Sequence, residues 1–132
     1  QVIGGSVAFS AVTSRIFVRD VGVVSDAVSE TLACAGQSDQ ARTVTEFSRL
    51  LPTYQRFERK YSVFFRPYAI RNDRCLAADM QRVGALLSKV EPMVHRGDLG
   101  EAQRQLRKVQ PLLDAMIDRN GLFRGKDRSF VA

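Results

Sequence analysis

The sequence predicts an all-α protein: a four-helix antiparallel (up-down-up-down) bundle with an extended N-terminal arm and a short C-terminal tail. Three observations predict it. Apolar residues recur at steps of three and four through most of the chain, the spacing that gathers side chains onto one helix face. The apolar segments are parted by very short turns, Gly36 to Asp39 and Arg96-Gly97-Asp98, which leave successive helices no course but to double back. The 132 residues, 45% hydrophobic and 26% charged, make one domain large enough to bury a core without metal or disulfide.

Residues 1–14 are expected as the arm, because Gly4, Gly5, Ser6 and Ser10 interrupt the apolar run from Val2 to Val12. The run lacks the basic start of a signal peptide, and Gln1 in place of a methionine fits a processed or trimmed terminus. Export, or residence in an organelle lumen after loss of a leader, is the expected localisation. A first helix is predicted over 15–35 from Ile16, Val23, Val24, Ala27, Val28, Thr31, Leu32 and Ala35, with Gly36 as a left-handed C-cap. The second, over 39–66, carries a stripe of Val44, Phe47, Leu51, Tyr54, Phe57, Tyr61, Phe64 and Tyr68, and Pro52 is expected to kink it.

After a loop over 66–72, Asn72 or Asp73 is expected to cap a third helix over 73–96, whose seam is Leu76, Met80, Val83, Leu87, Val90 and Val94. The fourth, over 99–119, repeats that pattern with Leu99, Ala102, Leu106, Val109, Leu113 and Met116. Gly97 ends one helix, Asp98 caps the next, and Glu101 stands at the capping-box position. Residues 87–94 and 106–113 resemble each other, but two copies fall short of a solenoid. Asn120-Gly121 closes the last helix, and 121–132 form the tail.

Several chemistries lack their parts. His95 is the one histidine, which excludes His-rich zinc sites, bis-histidine haem and di-iron bundles; it is expected at a helix C-terminus, where an imidazolium suits the dipole. Met80 and Met116 fall on seams, where packing accounts for them. Cys34 and Cys75 match no metal spacing and fall at opposite ends of the predicted bundle, so both are expected as unpaired thiols packed like small apolar groups. There is no Gly-x-Ser-x-Gly elbow, dinucleotide fingerprint or Walker pattern, so the expectation is a protein that is not an enzyme and needs no cofactor. Arg96-Gly97-Asp98 is an adhesion tripeptide whose every residue already has a duty in a turn.

Charge carries the functional signal. The net charge is +6, yet residues 1–48 sum to −2, residues 49–74 to +5 and residues 75–132 to +3. The basic residues of the middle segment are Arg49, Arg56, Arg59, Lys60, Arg66, Arg71 and Arg74, and those in the helix alternate with the aromatic stripe. One side of that helix is therefore expected buried and the other cationic. Sixteen of the twenty basic residues are arginine, which pairs bidentately with carboxylates and is enriched at interfaces. Phe9, Phe123 and Phe130 fall outside the predicted helices and are candidate apolar anchors.

The expected function is a non-catalytic accessory subunit docking through this basic face and its apolar ends on the acidic surface of a larger assembly, near a membrane but without a transmembrane segment. An extracytoplasmic sensor is the alternative, with Arg66, Arg71 or Arg74 holding a small anion beside Tyr61, Phe64 and Tyr68. A nucleic-acid-binding bundle comes third, since no motif for it is present and the aromatics belong to the core stripe.

Overall fold

The computed structural model describes residues 2–64 and 73–120, and the side chains of its first helix from Arg15 onward. Among these residues every regular element is helical. They are α1 (Val2–Gly36), α2 (Gln40–Arg59) running into a π-helical turn (Lys60–Phe64), α3 (Leu76–His95), α4 (Leu99–Arg107) and α5 (Val109–Asn120). The loop over 66–72 and the tail over 121–132 lie outside the described residues.

The expected extended arm is helical from Val2, making α1 a single helix of 35 residues. Gly4 and Gly5 weaken the helix locally, but no proline interrupts residues 2–36. Once a helix is nucleated, each further residue fixed gains its own hydrogen bond. The predicted fourth helix divides into α4 and α5 at Lys108. Pro111 causes this, because it has no N–H for the Arg107 carbonyl and its ring crowds that oxygen. The Lys108 N–H turns instead to Gln105 O at 3.1 Å, a tighter turn. Pro52 lies inside α2, which continues through it to Arg59.

The turns also differ in detail. Between α1 and α2 the left-handed residue is Ser38 (φ 58°), not Gly36, while Gly97 has the expected positive φ of 83°. Asp39 caps α2, its Oδ1 accepting from Arg42 N at 3.1 Å. Asp98 makes no side-chain cap to α4. Its carboxylate lies instead 3.6 Å from the Arg96 guanidinium. Gln40 satisfies the end of α3 from the neighbouring helix, donating Nε2 to His95 O at 3.1 Å, and its side chain lies against Gly97. Asp73 opens α3 by accepting from Cys75 N at 3.0 Å.

α1 packs on α2, α4 and α5, α2 packs on α3, and α3 packs on α4 and α5. Polar pairs fix how the ends meet. Tyr61 near the end of α2 bonds Asp20 of α1 at 2.7 Å. Gln110 of α5 bonds Ser29 of α1 at 3.0 Å. Asp73, just before α3, accepts from Asn120 at the end of α5 at 3.0 Å. The core follows the two predicted seams of α3 and of the split fourth helix residue for residue. From α1 it takes Phe17, Val21, Val24 and Val28, while Val23, expected on the seam, is 53% exposed. From α2 and its π turn it takes Phe47, Leu50, Tyr54, Phe57 and Tyr61.

Leu50 is fully buried where the predicted stripe placed Leu51, which is only half-buried. Leu50→Ala is therefore expected to cost about 2–5 kcal/mol in urea denaturation, and Leu51→Ala clearly less.

Candidate functional site

Helical geometry turns the buried stripe of α2 inward and leaves its arginines outside. Arg49, Arg56 and Arg59 are all exposed, as is Arg74 ahead of α3. Arg49 is 72% exposed and makes a 3.4 Å contact with Glu46. Arg56 donates to Thr53 Oγ1 at 3.4 Å. Lys60 departs from the cationic face that the charge pattern predicts. It is half-buried and forms a 2.8 Å ion pair with Asp20 of α1. Counting charge by segment hid this pair, because Asp20 belongs to the acidic first third of the chain. Arg66, Arg71, Tyr68, Phe123 and Phe130 lie outside the described residues, as do the side chains of Phe9 and Phe64.

Asp20 also accepts the Tyr61 hydroxyl, and Tyr61 is packed edge-on against Phe17 with centroids 4.8 Å apart. Phe57 completes the knot at 5.1 Å from Tyr61 and 5.7 Å from Phe17. The aromatic residues nearest the cations are thus inside the core. Above the knot, Asp20, Val23 and Val24 of α1 face Thr53, Arg56, Phe57 and Lys60 across an open groove of about 290 Å³. Its floor is apolar and one wall is cationic. The π-helical turn follows directly, and Val63 within it is 64% exposed.

Arg42 lies on the same edge of α2 as Arg56, the one arginine of that helix that lines the groove. It is exposed, and Arg42, Arg49 and Arg56 recur every seven residues. Two helical turns separate each pair, so the three guanidinium stems line one edge at intervals of about 10.5 Å. The interval of seven is the signal that finds it.

A second cluster, also absent from the expected site, holds the end of the bundle where α3 begins. Arg119 bridges Asp73 at 2.9 Å and Asp79 at 2.7 Å. Asp73 is 1% exposed and takes a further bond from Asn120. Burial pulls the Arg119 pKa down, but hydrogen bonds and charge from Asp79 and Asp73 outweigh it and hold the guanidinium above its ordinary value. Both carboxylates are well spaced to be read as a latch, yet only the folded chain brings residues 73, 79 and 119 together.

Tyr54 donates its hydroxyl to Met80 O, with Glu58 Oε2 3.3 Å away. Burial first, and then the Glu58 charge, raises the phenol far above its usual range. Both cysteines are free. Cys34 is buried as expected, but Cys75 is exposed, because it sits in the turn before α3 rather than on its seam. His95 is exposed in the last turn of α3. No helix among the described residues is long and apolar enough to cross a membrane. No protein-family model matches the chain, and no curated protein or solved structure matches it either.

Arg119→Ala would take the bridging guanidinium from two buried carboxylates, and a loss of about 3–5 kcal/mol is expected in urea denaturation at neutral pH. The raised Tyr54 pKa favours the protonated phenol in the fold. Its stabilisation is complete below the unfolded value of about 10 and is lost as pH rises above it. The urea midpoint is therefore expected to fall steeply above pH 10, and less steeply in Tyr54→Phe.

Proposed function

We propose that this chain is a non-catalytic docking subunit whose arginine edge on α2 receives an acidic helix of a larger protein assembly. The observation that carries the reading is the exposed row of Arg42, Arg49 and Arg56, which at Arg56 reaches an open groove with an apolar floor. Arginine forks pair two N–H bonds with a carboxylate, so a row of them reads spacing as well as charge. A partner helix lying along α2 would carry carboxylates seven residues apart and set one aliphatic side chain over Val23 and Phe57. Such charges chiefly steer encounter and fix register, while the groove supplies desolvated grip.

The same reading takes the helices as up-down-up-down. It is supported by the pairings Tyr61–Asp20, Gln40–His95, Asn120–Asp73 and Gln110–Ser29, each joining the start or middle of one helix to the far part of its neighbour.

The test is titration of a helical peptide with glutamates at three positions seven apart and one leucine between them, followed by fluorescence anisotropy. Binding is expected to weaken with salt and to fall roughly tenfold or more in the triple variant Arg42→Glu, Arg49→Glu, Arg56→Glu, which should stay folded since all three side chains are exposed. Unchanged affinity in that variant contradicts the reading. Tighter binding of a single-stranded oligonucleotide than of the peptide favours the nucleic-acid alternative instead.

A further inference from the structure

The unbroken helicity of α1 changes what its first residues are suited to do. Val2 to Ser14 contain no charged residue, and Arg15 and Arg19 then follow, both exposed. An extended strand could not enter hydrocarbon, because its backbone polar groups would lose their water partners; a helix satisfies them internally. Thirteen residues of helix are about 20 Å long, enough to reach well into the roughly 30 Å hydrocarbon core of a bilayer.

The bundle directs this segment and surrounds its base with positive charge. Phe17 is the first α1 residue of the described core, packed on Phe57 and Tyr61. Residues 2–14 therefore run on past the level of those rings. The end of α2 lies at that level through the Tyr61–Asp20 bond. α5 runs toward the same end from its Gln110–Ser29 contact, and the Asn120–Asp73 bond brings the start of α3 to it. Exposed Arg15, Arg19, Arg59 and Arg74 thus gather at one end. Of the carboxylates there, Asp20 is paired with Lys60, and Asp73 and Asp79 are paired with Arg119. Asp118 is exposed, and Glu58 is half-buried beside Tyr54. At the opposite end the exposed charges are mixed, with Asp98 and Glu30 among Arg42, Arg96 and Arg104.

We propose that this end of the bundle docks on an anionic lipid bilayer, residues 2–14 entering the hydrocarbon as a helix while Arg15, Arg19, Arg59 and Arg74 sit among the headgroups. Long arginine stems suit that boundary, because their methylenes lie in the apolar layer while the guanidinium stays with phosphate and water. Each basic residue near an anionic surface strengthens attachment about fivefold, and an apolar segment adds grip that salt does not screen. The surface is separate from the Arg42–Arg49–Arg56 edge, so each can fail without the other.

The chain has no tryptophan, so Phe9→Trp provides a single reporter within the segment. The full chain carrying it is mixed with phosphatidylcholine vesicles, with or without 30% phosphatidylglycerol, and followed by sedimentation and emission. The expected result is sedimentation with the anionic vesicles, a blue shift, and quenching by lipids brominated along the acyl chain. Arg15→Ala with Arg19→Ala should reduce the partition coefficient by about twenty-fold or more, while the Arg42→Glu, Arg49→Glu, Arg56→Glu variant keeps the blue shift. Partition onto neutral vesicles as tight as onto anionic ones, emission that does not shift, or a partition unchanged in the double variant overturns the proposal.

Discussion

Tyr61 stands edge-on to Phe17 and gives its hydroxyl to Asp20, and that carboxylate in turn holds Lys60. This contact ties the two longest stretches of helix, and the rest of the arrangement depends on the register it sets. With Phe17 against Phe57 and Tyr61, the α1 residues Val21, Val24 and Val28 fall into the core and Val23 falls outside it. The same register places Asp20 and Val23 across from Arg56, opening the groove, and decides that the uncharged start of α1 continues beyond the aromatic knot. A half-buried carboxylate accepting both a phenol and an ammonium is costly to leave half-satisfied, so the knot favours one alignment over others.

From that alignment the molecule has two separable surfaces. Along the side of α2 runs a row of arginines at a regular interval that reaches, at Arg56, a shallow apolar floor. At one end exposed cations stand around the base of a helical segment, residues 2–14, that carries no charge. The stabilising charges are engaged within the fold: Arg119 with Asp73 and Asp79 closes the end of the core from which α3 starts, where removing one partner is expensive.

The seams of α3 and of α4 with α5 were legible because their apolar residues alternate steps of three and four without interruption. The core side of α2 was legible for the same reason, save that Leu50 displaces Leu51, a choice set by packing between neighbours that a stripe one residue wide does not resolve. The division at Lys108 could be traced to Pro111, whose effect lands four residues upstream. Propensity misled at 2–14, because the cost of glycine in a helix is local while helical hydrogen bonding is cooperative. Exposed arginines on α2 were legible from alternation with aromatics. The Lys60–Asp20 and Arg119–Asp73–Asp79 pairs were not, since they join residues some forty positions apart, which only tertiary contact brings together.

The register set by Tyr61 and Asp20 is most directly tested by a double-mutant cycle of Tyr61→Phe and Asp20→Ala, read by urea denaturation at neutral pH. The account predicts a coupling energy of about 1 kcal/mol or more, because the hydrogen bond between the two side chains exists only when both are present. Effects that add to within about 0.3 kcal/mol would contradict it, and with it the alignment of α1 on α2 from which both surfaces follow.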